Sequence, residues 1–437
     1  MLTTLKNAFK IKDLRNKILF TFAMLVVIRF GSQLPVPGVN GDFIQSWFAA
    51  QTGDAFSFFD AITGGSFMQM SILALNISPY ITSSIVMQLL TIAIPKLEEM
   101  QRDGDDGRKK IASITRYVTV ALALLQSTAM AIGFGRQGYL TEYNFLSVVT
   151  AVLTLTAGSA FLMWVGEQIT EKGIGNGISI VLVINILSSI PEDLGRLFEQ
   201  FVFGKAPATA VLAAVIIFAI MLAMVVFVIF LNGAVRKIPV QYANKTQGRK
   251  MVGGQTSNIP LRVNTSGVIP VIFAQSLLQF PIIISTFVGY KGTGVWSEIL
   301  KYLNSTYWCN PKQLQYTIGL LVYIALIIFF AYFYTSVTFN PLMVADNMKK
   351  QGGFIPGIRP GKPTSDYLNK VLNYIVFIGA VGLTIIAVIP YFFSGVFGAS
   401  VSFGGTSLII IVSVILETVK QVESQMIVRN YKGFLEK

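Results

Sequence analysis

Ten runs of about twenty mostly apolar residues punctuate this chain, near residues 18–37, 72–94, 114–135, 146–166, 178–198, 208–231, 267–288, 316–338, 371–393 and 404–425. A helix needs roughly 20 such residues to cross the hydrocarbon core of a bilayer. A soluble fold of this length needs polar surface that the chain does not have. Only 13% of the 437 residues are charged and 53% are hydrophobic, whereas soluble domains carry about 25% charged residues. The charges are clumped between the apolar runs, as they are in loops between membrane spans. The expected fold class is all-α and polytopic, with ten transmembrane helices.

Loop charges orient the spans. The N-terminus carries Lys6, Lys10, Lys12, Arg15 and Lys17, and the loop after span 2 carries Lys96, Arg102, Arg108, Lys109 and Lys110. The loop after span 6 carries Arg236, Lys237, Lys245, Arg249, Lys250 and Arg262, and the loop after span 8 carries Lys349, Lys350, Arg359, Lys362 and Lys370. The loops between these are poor in Lys and Arg, and residues 38–71 have none. The alternation obeys the positive-inside rule with both termini in the cytoplasm. It also explains the net charge of +13 without invoking nucleic acid.

The expected organisation is a cytoplasmic amphipathic N-terminus (1–17), a first half with spans 1–5 (18–200) and a second half with spans 6–10 (201–425). The large cytoplasmic loops are 232–266 and 339–370, and 426–437 is a cytoplasmic tail. Five spans per half place the halves in opposite orientation, and inverted repeats build sites at the interface between them.

Histidine is absent and Cys309 is the lone cysteine. That removes an internal disulfide, His-based metal sites and Ser/His or Cys/His dyads. No metal, no cofactor and no catalytic residue are expected. Mid-span ionisable residues mark proton relays and ion sites, and Arg29 is the exception to their scarcity. Its ordinary reading is snorkelling or a local backbone contact. Gly173-Ile174-Gly175-Asn176-Gly177 has the glycine content of a phosphate loop but no βαβ context. It reads as a tight turn using positive φ before span 5. Three function classes share this helix count: a passive pathway, a small-solute transporter and a membrane enzyme. The near-absence of mid-span charge disfavours the second, and the missing histidine and acids disfavour the third.

Residues 53–71, GDAFSFFDAITGGSFMQMS, are too short and too mixed to span. They read as a short half-helix folded back into the protein. Broken backbone at membrane depth is tolerated only where protein or a water-filled cavity receives it, so a cavity on the outer side is expected.

Several long, irregular stretches resemble the SecY family in its bacterial form. They are ITGGSFMQMSILALNISPYITSSIVMQLL, GEQITEKGIGNGISI, VNTSGVIPVIFAQSLLQFP, FNPLMVADNMKKQGGFIPGIRPGKPT and FGGTSLIII, in the family's order across nearly the whole chain. The resemblance implies a channel in the bacterial cytoplasmic membrane, with two inverted five-helix halves around a central pore and a short re-entrant plug helix. Such a channel passes unfolded preproteins outward and releases transmembrane segments sideways into membrane lipids. Implied partners are the SecE and SecG subunits, the SecA motor ATPase, the ribosome and its RNA, and signal sequences.

The same resemblance assigns residues. The pore ring is Ile77, Ile81, Ile178, Leu182, Ile272 and Ile410, with Leu182 a departure from the usual isoleucine. Thr82, Gln88 and Phe280 match the lateral gate formed by spans 2 and 7. The plug holds Phe58, Phe59, Ile62, Gly64, Gly65, Phe67 and Met68. Arg249, Lys250 and Arg359 match docking positions for SecA and the ribosome. Arg359 lies in Gly357-Ile358-Arg359-Pro360-Gly361, whose prolines and glycines favour a defined turn. There its planar fork of donors suits phosphate or carboxylate.

Overall fold

The structure is a computed structural model that describes residues 9–40, 63–67, 69–135, 140–203, 207–242, 245–247, 250–252, 256–288, 294–311, 313–397 and 405–435. Among these residues ten long helices follow the ten apolar runs. They are α1 (Lys12–Gly31), α2 (Ser78–Ala93), α4 (Asp105–Gly135), α5 (Phe145–Lys172), α6 (Gly177–Phe201), α7 (Pro207–Gly233), α8 (Ile269–Val288), α10 (Ile318–Thr338), α12 (Lys362–Phe397) and α13 (Gly405–Leu435). Three short helices intervene: α3 (Pro95–Arg102), α9 (Val295–Leu303) and α11 (Pro341–Lys350).

Five described stretches are long and apolar enough to cross a membrane unaided: α5, α6, residues 211–233 of α7, residues 314–350 around α10, and α12. A sixth appears if α2 and α3 count as one span bent by 104°. The bend falls at Pro95, where the missing N–H cannot continue the ladder. Residues 269–282 of α8 are a shorter apolar stretch. The acidic and basic residues Asp105, Asp106, Arg108, Lys109 and Lys110 crowd the start of α4.

Boundaries moved where backbone chemistry intervened. The first span was expected at 18–37, but α1 ends at Gly31 and Ser32 caps it. Pro35 and Pro37 cannot donate to a helix. The chain there lies beside residues 70–72 instead, with Val36 N–H on the Met70 carbonyl and Ile72 N–H on the Leu34 carbonyl. The second helix was expected from residue 72, but 72–77 are turns and Asn76 sits at φ 49°. Pro191 falls inside the span expected at 178–198, and α6 runs through it to Phe201.

Within the first half α4 packs along α5 and α2, α5 packs on α6, and α1 packs on both α5 and α6. In the second half α8, α10 and α12 pack in succession, and α7 and α12 pack on α13. The halves meet where α13 and α7 pack on α6 and where α8 packs on α4. Lipid tails are as apolar as leucine, so these contacts rest on close packing and on hydrogen bonds between helices rather than on the hydrophobic effect.

The turn at Gly173–Gly177 is tightly packed, as its glycines predict. Gly175 has φ 80°. A Cβ on Gly177 would collide with the Gly166 backbone of α5. Asn176 then caps α6, its Oδ1 accepting from Ile178 N–H at 3.1 Å and Ser179 N–H at 3.3 Å. This pins the start of α6, which carries Ile178 and Leu182, to the end of α5.

A small sheet stands outside the helices and was not foreseen. Strands β1 (Val235–Tyr242) and β4 (Thr256–Arg262) pair antiparallel, Val235 opposite Arg262. Strand β5 (Gly353–Phe354) adds to the other edge of β1. Strands β2 (Lys245–Gln247) and β3 (Lys250–Val252) form a hairpin of their own. The two basic loops, distant in sequence, are thereby one unit. Its core holds Ile238, Val240, Leu261, Met348, Ile355, Leu368 and Ile375.

Candidate functional site

Every residue assigned to the pore ring lies in one apolar cluster. Ile77 and Ile81 come from the start of α2, Ile178 and Leu182 from the first turns of α6, Ile272 from α8 and Ile410 from α13. Four helices and both halves of the chain contribute. Ile77 is 0% exposed and Ile410 4% exposed, while Ile81, Ile178 and Ile272 are half-buried. Val181, Ile186, Leu162 and Val165 back the cluster. An apolar collar of this kind offers water almost no hydrogen-bond partner. A collar of this kind lining a channel dewets, and ions then meet a desolvation barrier. Branched aliphatic side chains can also shift rotamer around a passing chain without breaking a polar bond.

The gate residues behave differently. Thr82 and Gln88 are exposed on α2, and Phe280 is 64% exposed on α8. The Thr82 hydroxyl donates to the Ser78 carbonyl of its own helix at 3.0 Å. Both α2 and α8 pack on α4.

Part of the plug assignment falls outside the described residues: Phe58, Phe59, Ile62 and Met68. Of the rest, Gly64 and Gly65 sit in turns at φ 66° and 84°. Phe67 is buried with Val36, Met70, Leu75, Ala123, Met130 and Leu155. Its N–H donates to the Thr63 hydroxyl at 3.2 Å. The end of the segment is thus packed against the outward ends of α4 and α5 rather than loose.

On the basic side Arg249 lies outside the described residues, and Lys250 is placed in β3. Arg359 is exposed on a turn whose backbone is pinned: its carbonyl accepts from the Thr364 hydroxyl at 2.8 Å. Ile358 N–H bonds the Ile355 carbonyl, and Gly357 and Gly361 take φ 81° and 102°. Ile355 and Ile358 anchor this turn in the core beneath the sheet. Arg236, Lys237, Arg262, Lys349, Lys350, Lys362 and Lys370 are exposed on the same unit.

Sequence reasoning missed that sheet. Its signal was present in β1, where Ile238 and Val240 are buried and their neighbours are exposed, the two-residue period of a half-buried strand. It also missed a polar network between spans 1, 4 and 5. Arg29 reaches the Gly64 carbonyl and the Ser188 hydroxyl, and Asn185 bonds Asn76. In the loop between spans 7 and 8, Lys301 donates to Glu298 at 2.8 Å and Tyr316 to the same carboxylate at 2.9 Å. These hydrogen bonds hold the Glu298 carboxyl below the usual range.

The SecY family model matches residues 71–419. The protein translocase subunit SecY of Bacillus subtilis is 44% identical over 445 residues, with all of both chains covered. That of Streptomyces galbus is 44% identical and that of Mycobacterium tuberculosis 41% identical, again over the full length of each. Among solved structures, a protein-conducting channel superposes with a TM-score of 0.66 at 19% identity, over 94% of this chain and 92% of that one. Sec61 in the canine ribosome-channel complex superposes at 0.62 and 18%, with the same coverage.

Proposed function

The chain belongs to the SecY family, and we propose that its four-helix apolar cluster is the seal of the channel it forms. It is a multi-pass protein of the bacterial cytoplasmic membrane. It conducts unfolded polypeptides across that membrane and releases transmembrane segments sideways into lipid. It is a conduit and not an enzyme.

The observation that carries the reading is the convergence of Ile77, Ile81, Ile178, Leu182, Ile272 and Ile410 from both halves into one cluster. A seal must sit where the halves meet, because only there can it widen by rigid movement of one half against the other. At rest the collar excludes ions by dewetting. In use its side chains close around the polypeptide, so passage and sealing coexist. The exposed gate positions Thr82, Gln88 and Phe280 fit a seam that makes few contacts of its own and so opens at little cost. SecE and SecG accompany the channel. The motor SecA or the ribosome docks on the basic unit that displays Arg359, with Arg249 and Lys250 assigned to the same docking site, and both termini face the cytoplasm with it.

A chain arrested in transit tests this. Photo-crosslinking side chains at positions 77, 182, 272 and 410 should each capture the arrested polypeptide. Position 218, where Phe218 is exposed on α7, should capture lipid. Capture at position 218 with none at the four collar positions would place the path elsewhere.

A further inference from the structure

Arg29 occupies the last turn of α1, a position where a cation gains from the helix dipole. The side chain does not simply run out to water. Its Nη1 donates to the Ser188 hydroxyl of α6 at 2.9 Å and to the carbonyl of Gly64 at 3.2 Å. The Ser188 hydroxyl has one proton, given to the Asn185 carbonyl at 2.7 Å, which leaves its lone pairs for the guanidinium. No carboxylate among the described residues pairs with Arg29.

Gly64 is built for this contact. It sits at φ 66°, and a Cβ there would lie 2.5 Å from Ser188 Oγ, 2.7 Å from the Asn185 carbonyl and 3.0 Å from Arg29 Nη1. Only a residue with no side chain can present its carbonyl so closely. The network continues inward. Asn185 donates from Nδ2 to Asn76 Oδ1 at 3.1 Å, and the Ser159 hydroxyl donates to the Asn76 carbonyl at 3.1 Å. Asn76, Asn185 and Ser159 are all buried, and Asn76 immediately precedes the collar residue Ile77. One polar network therefore joins spans 1, 4 and 5, the 63–67 turn and the start of α2.

We propose that Arg29 is the latch of the resting channel, holding the plug by the Gly64 carbonyl and tying it to α6 through Ser188. The inference rests on reading residues 53–71 as that plug. A hydrogen bond from a charged donor is strong where water is excluded. Water admitted by an opening collar solvates the guanidinium and weakens the latch, so plug release and wetting reinforce each other. Because Asn76 shares the network, seating of the plug also steadies the first turn of α2.

The test uses the full channel complex in planar bilayers, with export of a preprotein carrying a defective signal sequence as a second readout. Arg29→Met removes both bonds and should raise resting ion conductance by about tenfold or more, tenfold being the effect of losing one charge-assisted bond. Gly64→Ala leaves Arg29 intact but fills its contact, and should do the same. Ser188→Ala should raise conductance by a smaller factor. Deleting residues 60–66 should leak by itself, and Arg29→Met should add nothing to it, which a merely stabilising arginine would not explain. Ile410→Asn serves as the reference. Resting conductance unchanged in both Arg29→Met and Gly64→Ala, with Ile410→Asn leaking, overturns the latch and leaves the seal standing. Silence of all three overturns the seal and the latch with it. Full additivity of Arg29→Met with the deletion also overturns the latch.

Discussion

The collar and the basic unit are both apolar clusters assembled from distant parts of the chain, and they are put to opposite uses. In the collar Ile77 and Ile410 are buried while Ile81, Ile178 and Ile272 stay half-open, and in the proposed seal those side chains are what a passing polypeptide meets. In the basic unit Ile238, Val240, Leu261 and Leu368 are fully enclosed, and the side chains on show are charged. One cluster works by what it is made of. The other works by holding something else in place. Polarity should therefore ruin the first without touching docking, and loss of volume or charge should ruin the second without opening the pore.

The largest effect expected is at Arg359. Arg359→Glu should weaken SecA affinity roughly ten- to hundredfold, the range for losing a charge-assisted bidentate contact, with resting conductance unchanged. Arg359→Lys should fall between, because an ammonium keeps the charge but not the planar fork. Normal SecA affinity for Arg359→Glu would remove this turn from the docking site.

A smaller effect on SecA affinity is expected beneath it. Leu368 is wholly buried against the sheet, and Leu368→Ala should cost about 2–5 kcal/mol of local stability. Thermal unfolding and protease sensitivity of the basic unit should report it, with SecA affinity lowered less than by Arg359→Glu. Unaltered protease sensitivity would mean that the unit is not held by this core. A leak in the same variant would mean that the two clusters are one, and the comparison would fail.

The two regions also differ in how far the sequence disclosed them. All ten spans were legible, because about twenty apolar residues between charged loops leave few alternatives. Their ends were less so. Pro35 and Pro37 end α1 early, whereas Pro191 is accommodated inside α6, and the sequence alone does not say which outcome a proline takes. The collar residues could be named only through resemblance, since isoleucine in a span is as often packing as lining. The sheet escaped because β1 includes Pro239 and because one of its two partners, β5, comes from a loop about a hundred positions later. Arg29 was visible as an intramembrane charge, but its partners are a backbone carbonyl and a serine hydroxyl. Neither residue type signals its role in one dimension. The gate positions could be named only through resemblance, since Thr82, Gln88 and Phe280 are exposed and no buried pattern marks them.

The central claim is that the six-residue collar is the seal, and resting ion conductance of the reconstituted complex tests it most directly. Ile272 and Ile410 come from different helices, α8 and α13, so a defect shared by substitutions at both belongs to the cluster and not to one helix. An amide supplies the hydrogen-bond partners that the collar withholds from water. Ile272→Asn and Ile410→Asn should each raise conductance severalfold with SecA affinity intact. Conductance equal to the unsubstituted channel in both variants would contradict the account and leave these residues as packing.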